Sequence, residues 1–239
     1  YDSKGLIHKG RTDLDEMKAY YANHPKDIPF DQAFKNADVF LGLSKAGLVS
    51  KEMIASMAKD PIVFALANPE PEISYKEATS VRKDIIMATG RSDHPNQVNN
   101  VLGFPYIFRG ALDVRAKSIN EEMKLAAVKA IASLAKETIP EEVIEAYGGK
   151  NISFGREQII PKPLDPRLIY YVAPAVARAA MESGVAQEPI TDWEEYENQL
   201  KSRLGLDNKL HRNITTKAQG NPKTVVFPEG DNIKILKAA

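Results

Sequence analysis

From Ile85 to Arg115 the chain reads IIMATGRSDHPNQVNNVLGFPYIFRGALDVR, and the order of its parts constrains the fold more than any bulk property. An apolar run, Ile85-Ile86-Met87-Ala88, stops at Thr89-Gly90. A polar loop follows, with Arg91, Ser92, Asp93, Asn96, Gln97, Asn99 and Asn100. Apolar residues then return at helical spacing: Val101, Leu102, Phe104, Ile107, Phe108, Ala111 and Leu112. This is a buried strand, a polar loop at its carboxyl end, and a helix. Open α/β sheets bind ligands at the carboxyl ends of their strands.

Two earlier stretches repeat the theme. Val39-Phe40-Leu41-Gly42 is a short strand that ends in Leu43-Ser44-Lys45-Ala46-Gly47, where small residues let a ligand approach the backbone. Ser44 alone reads equally as a turn or helix cap. Ile62 to Ala67 is a continuous apolar run, suited to a parallel strand buried on both faces. Asn68-Pro69-Glu70-Pro71-Glu72 ends it, and the proline keeps Asn68 extended. Asparagine is a common turn former, but its amide can also both donate and accept.

The chain opens on Asp2-Ser3-Lys4-Gly5, read as the end of a strand. An acidic residue there can accept from an adenosine ribose, while Ser3 and Lys4 can donate to a 2′-phosphate. A plain surface turn is the alternative. Helices are expected at Leu14–Ala22 with Asp13 as cap and Leu14, Met17, Tyr20 and Tyr21 as its apolar stripe, at 30–37, and from Ser50 to about Ala58. Ser118-Ile119-Asn120-Glu121 and Thr191-Asp192-Trp193-Glu194 have the form of capping boxes. Asp165-Pro166-Arg167 starts a buried helix, with Asp165 as cap and Pro174 kinking its interior.

The 239 residues carry 32 Lys+Arg and 32 Asp+Glu, a balance that argues against nucleic acid or a membrane surface as the main partner. With no cysteine, there is no disulfide, thiolate ligand or thiol nucleophile. No apolar run approaches the roughly 18 residues of a membrane span. A cytoplasmic setting is expected. Tyr1 directly precedes a strand-end sequence and Ala239 follows a new strand-like run, so the chain is expected to be an interior piece of a longer protein.

Three ordered motifs, ATGRSDHPNQVNNVLGFPYIFRGALD, FLGLSKAGLVSKEM with FALANPEPEI, and DSKGLIHKGR, resemble the bacterial malic enzymes. IIPKPLDPRL and APAVARAAMESGVA extend the likeness. The final KTVVFPEGDNIKILKAA resembles the opening of phosphotransacetylase-like domains, which one bacterial class of malic enzyme carries after its malic portion.

The resemblance implies an α/β fold: the later half of a Rossmann-type parallel sheet with a helical extension, plus the first elements of a second α/β domain. The expected division is 1–115 for the dinucleotide-binding part, 116–205 for the helical part, 206–222 for a linker and 223–239 for the next domain. It implies oxidative decarboxylation of L-malate to pyruvate and carbon dioxide, with NADP, or NAD, reduced. Asn68, Asn99 and Asn100 would meet the substrate. Asp2, Ser3, Lys4, Ser44 and Asn68 would meet the cofactor. Either or both of Asn99 and Asn100 could instead cap the next helix, and His94 reads as a loop residue. The family's catalytic tyrosine and lysine, and its ligands for Mg or Mn, match nothing in this chain, so the chain alone is expected to be inactive. A homo-oligomer and an acyl-CoA effector acting through the downstream domain are expected partners. Two other readings stay open: a segment that couples the malic portion to that domain, or a dehydrogenase module for another hydroxy acid.

Overall fold

The computed structural model describes residues 1–148 and 153–203. The chain divides into two units, Tyr1–Pro189 and Ile190–Ala239. The expected linker and following domain, 206–239, lie outside the described residues.

In the first unit the three apolar runs become strands β1 (Val39–Gly42), β2 (Ile62–Ala65) and β3 (Ile86–Thr89). Among the described residues they form one parallel sheet in the order β1-β2-β3. The pairing places Phe40, Val63 and Met87 in one row, and Gly42, Ala65 and Thr89 in the last row at the carboxyl edge. The connections run through α2 (Lys51–Ser56) and α3 (Tyr75–Val81). Ser50 and Ser74 cap these helices through capping boxes, which satisfy amide donors a helix start would leave open.

The core of this half gathers Phe34, Val49, Ile54, Met57, Val63, Ala65, Ile73, Ala78, Ile85 and Met87. Burying a side chain the size of Ile54 or Val63 contributes about 1.5–3 kcal/mol. At the β1 edge, Val39 and Leu41 keep more than half of their surface exposed. The opening turn is tied to this half by an aromatic ladder. Tyr1 meets Phe30 at 5.1 Å, Phe30 meets Phe34 at 5.2 Å, and Phe34 meets Phe40 of β1 at 5.0 Å.

The helical extension comprises α4 (Phe104–Asp113), α5 (Glu121–Leu134), α6 (Glu141–Ala146) and α7 (Leu168–Glu182). α7 packs against both α4 and α5, and eight of its residues are buried, Pro174 among them. Where α4 crosses α7, a Cβ on Gly110 would lie 2.4 Å from the Ala173 carbonyl oxygen and 2.9 Å from Val176 Cβ. The bare glycine therefore sets the approach of the two backbones. Arg167 clasps Asp165 through its guanidinium and donates to the Thr138 carbonyl at 2.7 Å, tying the start of α7 to the segment between α5 and α6.

Several helix starts differ from expectation. α1 covers only Glu16–Tyr20, and its cap is Asp15, because Asp13 is occupied by Arg11 and Lys4. Its apolar stripe is not buried: Met17 and Tyr20 are 73% and 79% exposed. Residues 30–37 form only a 3-10 turn at Gln32–Phe34. α5 is capped by Asn120 rather than Ser118, since Asn120 accepts from Met123 N–H and also donates to Ser183 Oγ at 2.8 Å. α7 begins at Leu168 with Arg167 at its cap position, so Asp165, the expected cap, lies two residues before that position. In the second unit, α8 (Trp193–Arg203) follows Asp192, which accepts from Glu195 N–H at 2.9 Å; Thr191 is not the cap.

Candidate functional site

The carboxyl edge of a parallel sheet leaves the last strand residues and their turns free to meet a ligand. Here three turns leave that edge, one from each strand. Ser44 stands exposed just after β1, Asn68 exposed after β2, and Asn99 and Asn100 exposed beyond β3. The structure thus brings Ser44, Asn68, Asn99 and Asn100 onto the turns of one sheet edge.

Their immediate partners differ. Asn68 precedes Pro69 through a cis peptide. Asn99 Oδ1 accepts from Val101 N–H at 3.0 Å and caps the 3-10 turn Asn100–Leu102. One of the two amides therefore does serve as a cap, with its oxygen, and Nδ2 remains the atom able to donate outward.

Two contacts fix the loop after β3. Val98 N–H donates to the Thr89 carbonyl at 2.8 Å, so the loop returns to its own strand. Asn96 is 2% exposed at a positive φ of 54°. Its Nδ2 donates to the carbonyls of Met87 at 2.9 Å and Arg156 at 2.7 Å, and its Oδ1 accepts from Ile159 N–H at 2.9 Å. One amide thus joins β3 to the segment that leads into α7. An asparagine tolerates this backbone conformation better than most residues.

Arg91 holds Asp93 through two hydrogen bonds of 2.9 and 3.0 Å and reaches Glu70 of the β2 turn at 3.5 Å. The paired guanidinium lowers the Asp93 carboxyl to about 2. His94 lies stacked on Tyr75, with ring centroids 5.0 Å apart and 16° between planes. That contact fits the reading of His94 as a loop residue.

Glu72 is the residue that sequence reading passed over. It is fully buried, which is rare for glutamate. Its Oε1 accepts from Ser44 N–H at 2.9 Å and its Oε2 from Ala67 N–H at 3.0 Å. The only signals in the sequence were its place in the NPEPE turn and a glycine ending β1.

The Asp2–Gly5 turn carries a different chemistry. Arg11 donates to both Asp2 oxygens, at 2.8 and 3.1 Å, and also grips Asp13. Lys18 lies 3.3 Å from Asp2, and Lys4 lies 2.7 Å from Asp13. Hydrogen bonding from Arg11 holds the Asp2 carboxyl well below the usual carboxylate range. Arg11, Lys18 and Lys4 thus face Asp2 and Asp13, the Asp27 carboxylate lies beside Gly5 of the same turn, and the Ser3 side chain is exposed.

Among the described residues no group of three or more His, Asp or Glu is placed to hold a metal ion. No helix among them is long and apolar enough to cross a membrane.

The family described as "Malic enzyme, NAD binding domain" matches residues 1–145. The NADP-dependent malic enzyme of Rhizobium meliloti (strain 1021) is 50% identical over 239 residues, covering 100% of this chain and 31% of the relative. The NAD-dependent malic enzyme of the same organism is 48% identical, again over 100% of this chain and 31% of its own length. The crystal structure of the Entamoeba histolytica malic enzyme superposes with a TM-score of 0.72 at 34% identity, covering 95% of this chain and 45% of that one. The chain thus spans about a third of the length of these curated relatives. Its parallel sheet, its turns and its sequence agree on one assignment: the chain belongs to the malic enzyme NAD-binding domain family.

Proposed function

We propose that this chain supplies the dinucleotide-binding part of a site that oxidises L-malate and decarboxylates it to pyruvate and carbon dioxide, with NADP reduced. The observation that carries this reading is the set of exposed carboxamides Asn68, Asn99 and Asn100 on the turns after β2 and β3. Amides can hold the carboxylates and hydroxyl of a small dicarboxylate without placing a further full charge in the site. Asn68 leaves the central strand and is assigned to substrate and nicotinamide together. Asn99 has its oxygen engaged in its cap, so its Nδ2 points the right polarity at a carboxylate. Asn100 shares that work, and Ser44 is assigned to the dinucleotide. When bound, the dinucleotide supplies the hydride acceptor. The reading also includes Mg or Mn; the described residues offer no ligand set for either.

The relatives do not separate NADP from NAD, since both kinds are similar to this chain to nearly the same extent. The opening turn favours NADP. Asp2, whose carboxylate would accept from a ribose hydroxyl, is already held by Arg11 and Lys18. Ser3, exposed, and Lys4, whose ammonium is paired with Asp13, are the donors assigned to a 2′-phosphate.

The same reading includes a phosphotransacetylase-like domain that starts within residues 223–239 and an acyl-CoA effector acting through it. Both rest on sequence outside the described residues. A cytoplasmic setting and a homo-oligomer belong to it as well. The exposed Phe104 and Leu112 of α4 and Val128 of α5, each above 60% exposed, are the kind of apolar surface an assembly covers.

The test is malate-dependent reduction of NADP and of NAD, in parallel, by the protein at its natural length with Mg or Mn supplied. Faster reduction of NADP is expected. No reduction of either overturns the reading. Asn68→Ala is expected to lower kcat by up to about a hundredfold, the cost of losing one positioning contact. Alanine at both Ser3 and Lys4 should weaken NADP far more than NAD; an unchanged preference rejects the 2′-phosphate assignment.

A further inference from the structure

We propose that Glu72 is a positioning residue: its side chain fixes the spacing between the turn that carries Ser44 and the turn that carries Asn68. The inference rests on the reading of those two residues given above and extends it to a group that touches neither substrate nor cofactor.

The two turns leave neighbouring strands; the last ladder bond between them runs from Leu66 N–H to the Gly42 carbonyl, at 3.0 Å, and beyond it other groups must tie the turns together. Glu72 does so with both oxygens. One accepts from the N–H of Ser44 itself, at 2.9 Å. The other accepts from Ala67, the residue before Asn68, at 3.0 Å. The backbone beside it adds two more ties: Val49 N–H donates to the Glu72 carbonyl at 3.0 Å, and Gly47 N–H to that of Pro71 at 3.2 Å. The carboxylate fits because β1 ends in glycine. A Cβ on Gly42 would lie 2.4 Å from Glu72 Cδ and 2.5 Å from Oε1.

An apolar residue would fill this buried position at lower desolvation cost. It could not link two N–H groups on separate turns. Glu72 has no ion-pair partner among the described residues, so its connections run through backbone donors alone. Such donors move only when the turns themselves move. A shift of one turn against the other would change where nicotinamide and malate meet, and hydride transfer is steep in that geometry.

The test uses the protein at its natural length. Glu72→Gln keeps the size of the side chain but can accept at only one atom, so one N–H is left facing an NH2 group. The expected result is a fall in kcat of about tenfold, a severalfold rise in KM for the dinucleotide, and a larger deuterium isotope effect with malate labelled at the transferred hydrogen. A variant that merely folds less well lowers the active fraction and leaves KM and the isotope effect unchanged; that result overturns the proposal. Gly42→Ala presses on the same carboxylate from the other side and should move the same constants in the same direction. The double variant should then resemble the stronger single one, because both break one contact. Loss of the folded circular-dichroism signal in both single variants would assign the contact to stability and also overturn the proposal. Absence of malate oxidation in the unaltered protein would instead refute the functional reading itself, so the two failures are distinguishable.

Discussion

Gly42 and Gly110 are closed to a methyl group by the same 2.4 Å, yet what closes them differs. At Gly110 the obstacle is the Ala173 backbone, with the branched Val176 beside it. At Gly42 it is the end of one glutamate side chain. The first glycine belongs to a helix crossing, where it lies against the Ala173 carbonyl and the Val176 side chain. The second belongs to a strand end where polar atoms reach across to hold turns. The helical layer is fixed by close packing, which is costly to disturb and indifferent to chemistry. The sheet edge is fixed by a few directed bonds, which cost less to disturb but carry the groups that would meet a ligand.

The sharpest way to break that contrast is Gly110→Ala. Backbone cannot yield without separating α4 from α7, so a loss of about 3 kcal/mol is expected, at the upper end for overpacking. Chemical denaturation would read it as a lower midpoint; a cost below about 1 kcal/mol would mean the crossing is not rigid. Asn96→Ala comes next. It strips the partners from three backbone groups around a buried site, and about 2 kcal/mol is expected from that loss. Gly42→Ala should cost less, about 1 kcal/mol, because a side-chain end can give way. If Gly42→Ala proves as costly as Gly110→Ala, the distinction between the two regions fails.

The smallest effect concerns pH. The Asp93 carboxyl sits at about 2, against an ordinary 3.8, because of its hydrogen bonds with Arg91. A depressed folded value means that the pair's contribution is complete above about pH 4 and is lost as pH falls through 2. Both partners are about half exposed, so the stability at stake is slight. Carbon-detected titration of the Asp93 carboxyl checks it, and a midpoint near 4 would show that the loop is not held by this pair.

The strands were legible because apolar runs ending in small or polar residues have few other uses. Ile62 to Ala67 reads as a buried strand, and it forms the central one, although its residues alternate between buried and half-buried rather than being covered on both faces. Helix starts were less legible. Asp13, the expected cap of α1, is taken by Arg11, and Asp15 caps the helix in its place. At α5 the expected capping box starting at Ser118 does not form; Asn120 is the cap and also donates to Ser183. The exposed carboxamides could be found from their turns. Glu72 and Asn96 could not, because each also has a partner far away in sequence: Ser44 is 28 residues before Glu72, and Ile159 is 63 residues after Asn96. Long-range satisfaction of buried polar groups leaves no local pattern to read.

The aromatic ladder from Tyr1 through Phe30 and Phe34 to Phe40 has a consequence for anyone exchanging parts between such proteins. It works as a spacer that sets the opening turn against β1 by edge-to-face and tilted ring contacts rather than by chain connectivity. A loop transplanted at Asp2–Arg11 would inherit its docking from residues some twenty to forty positions downstream. Swapping cofactor preference by cassette therefore calls for moving the rings together with the turn.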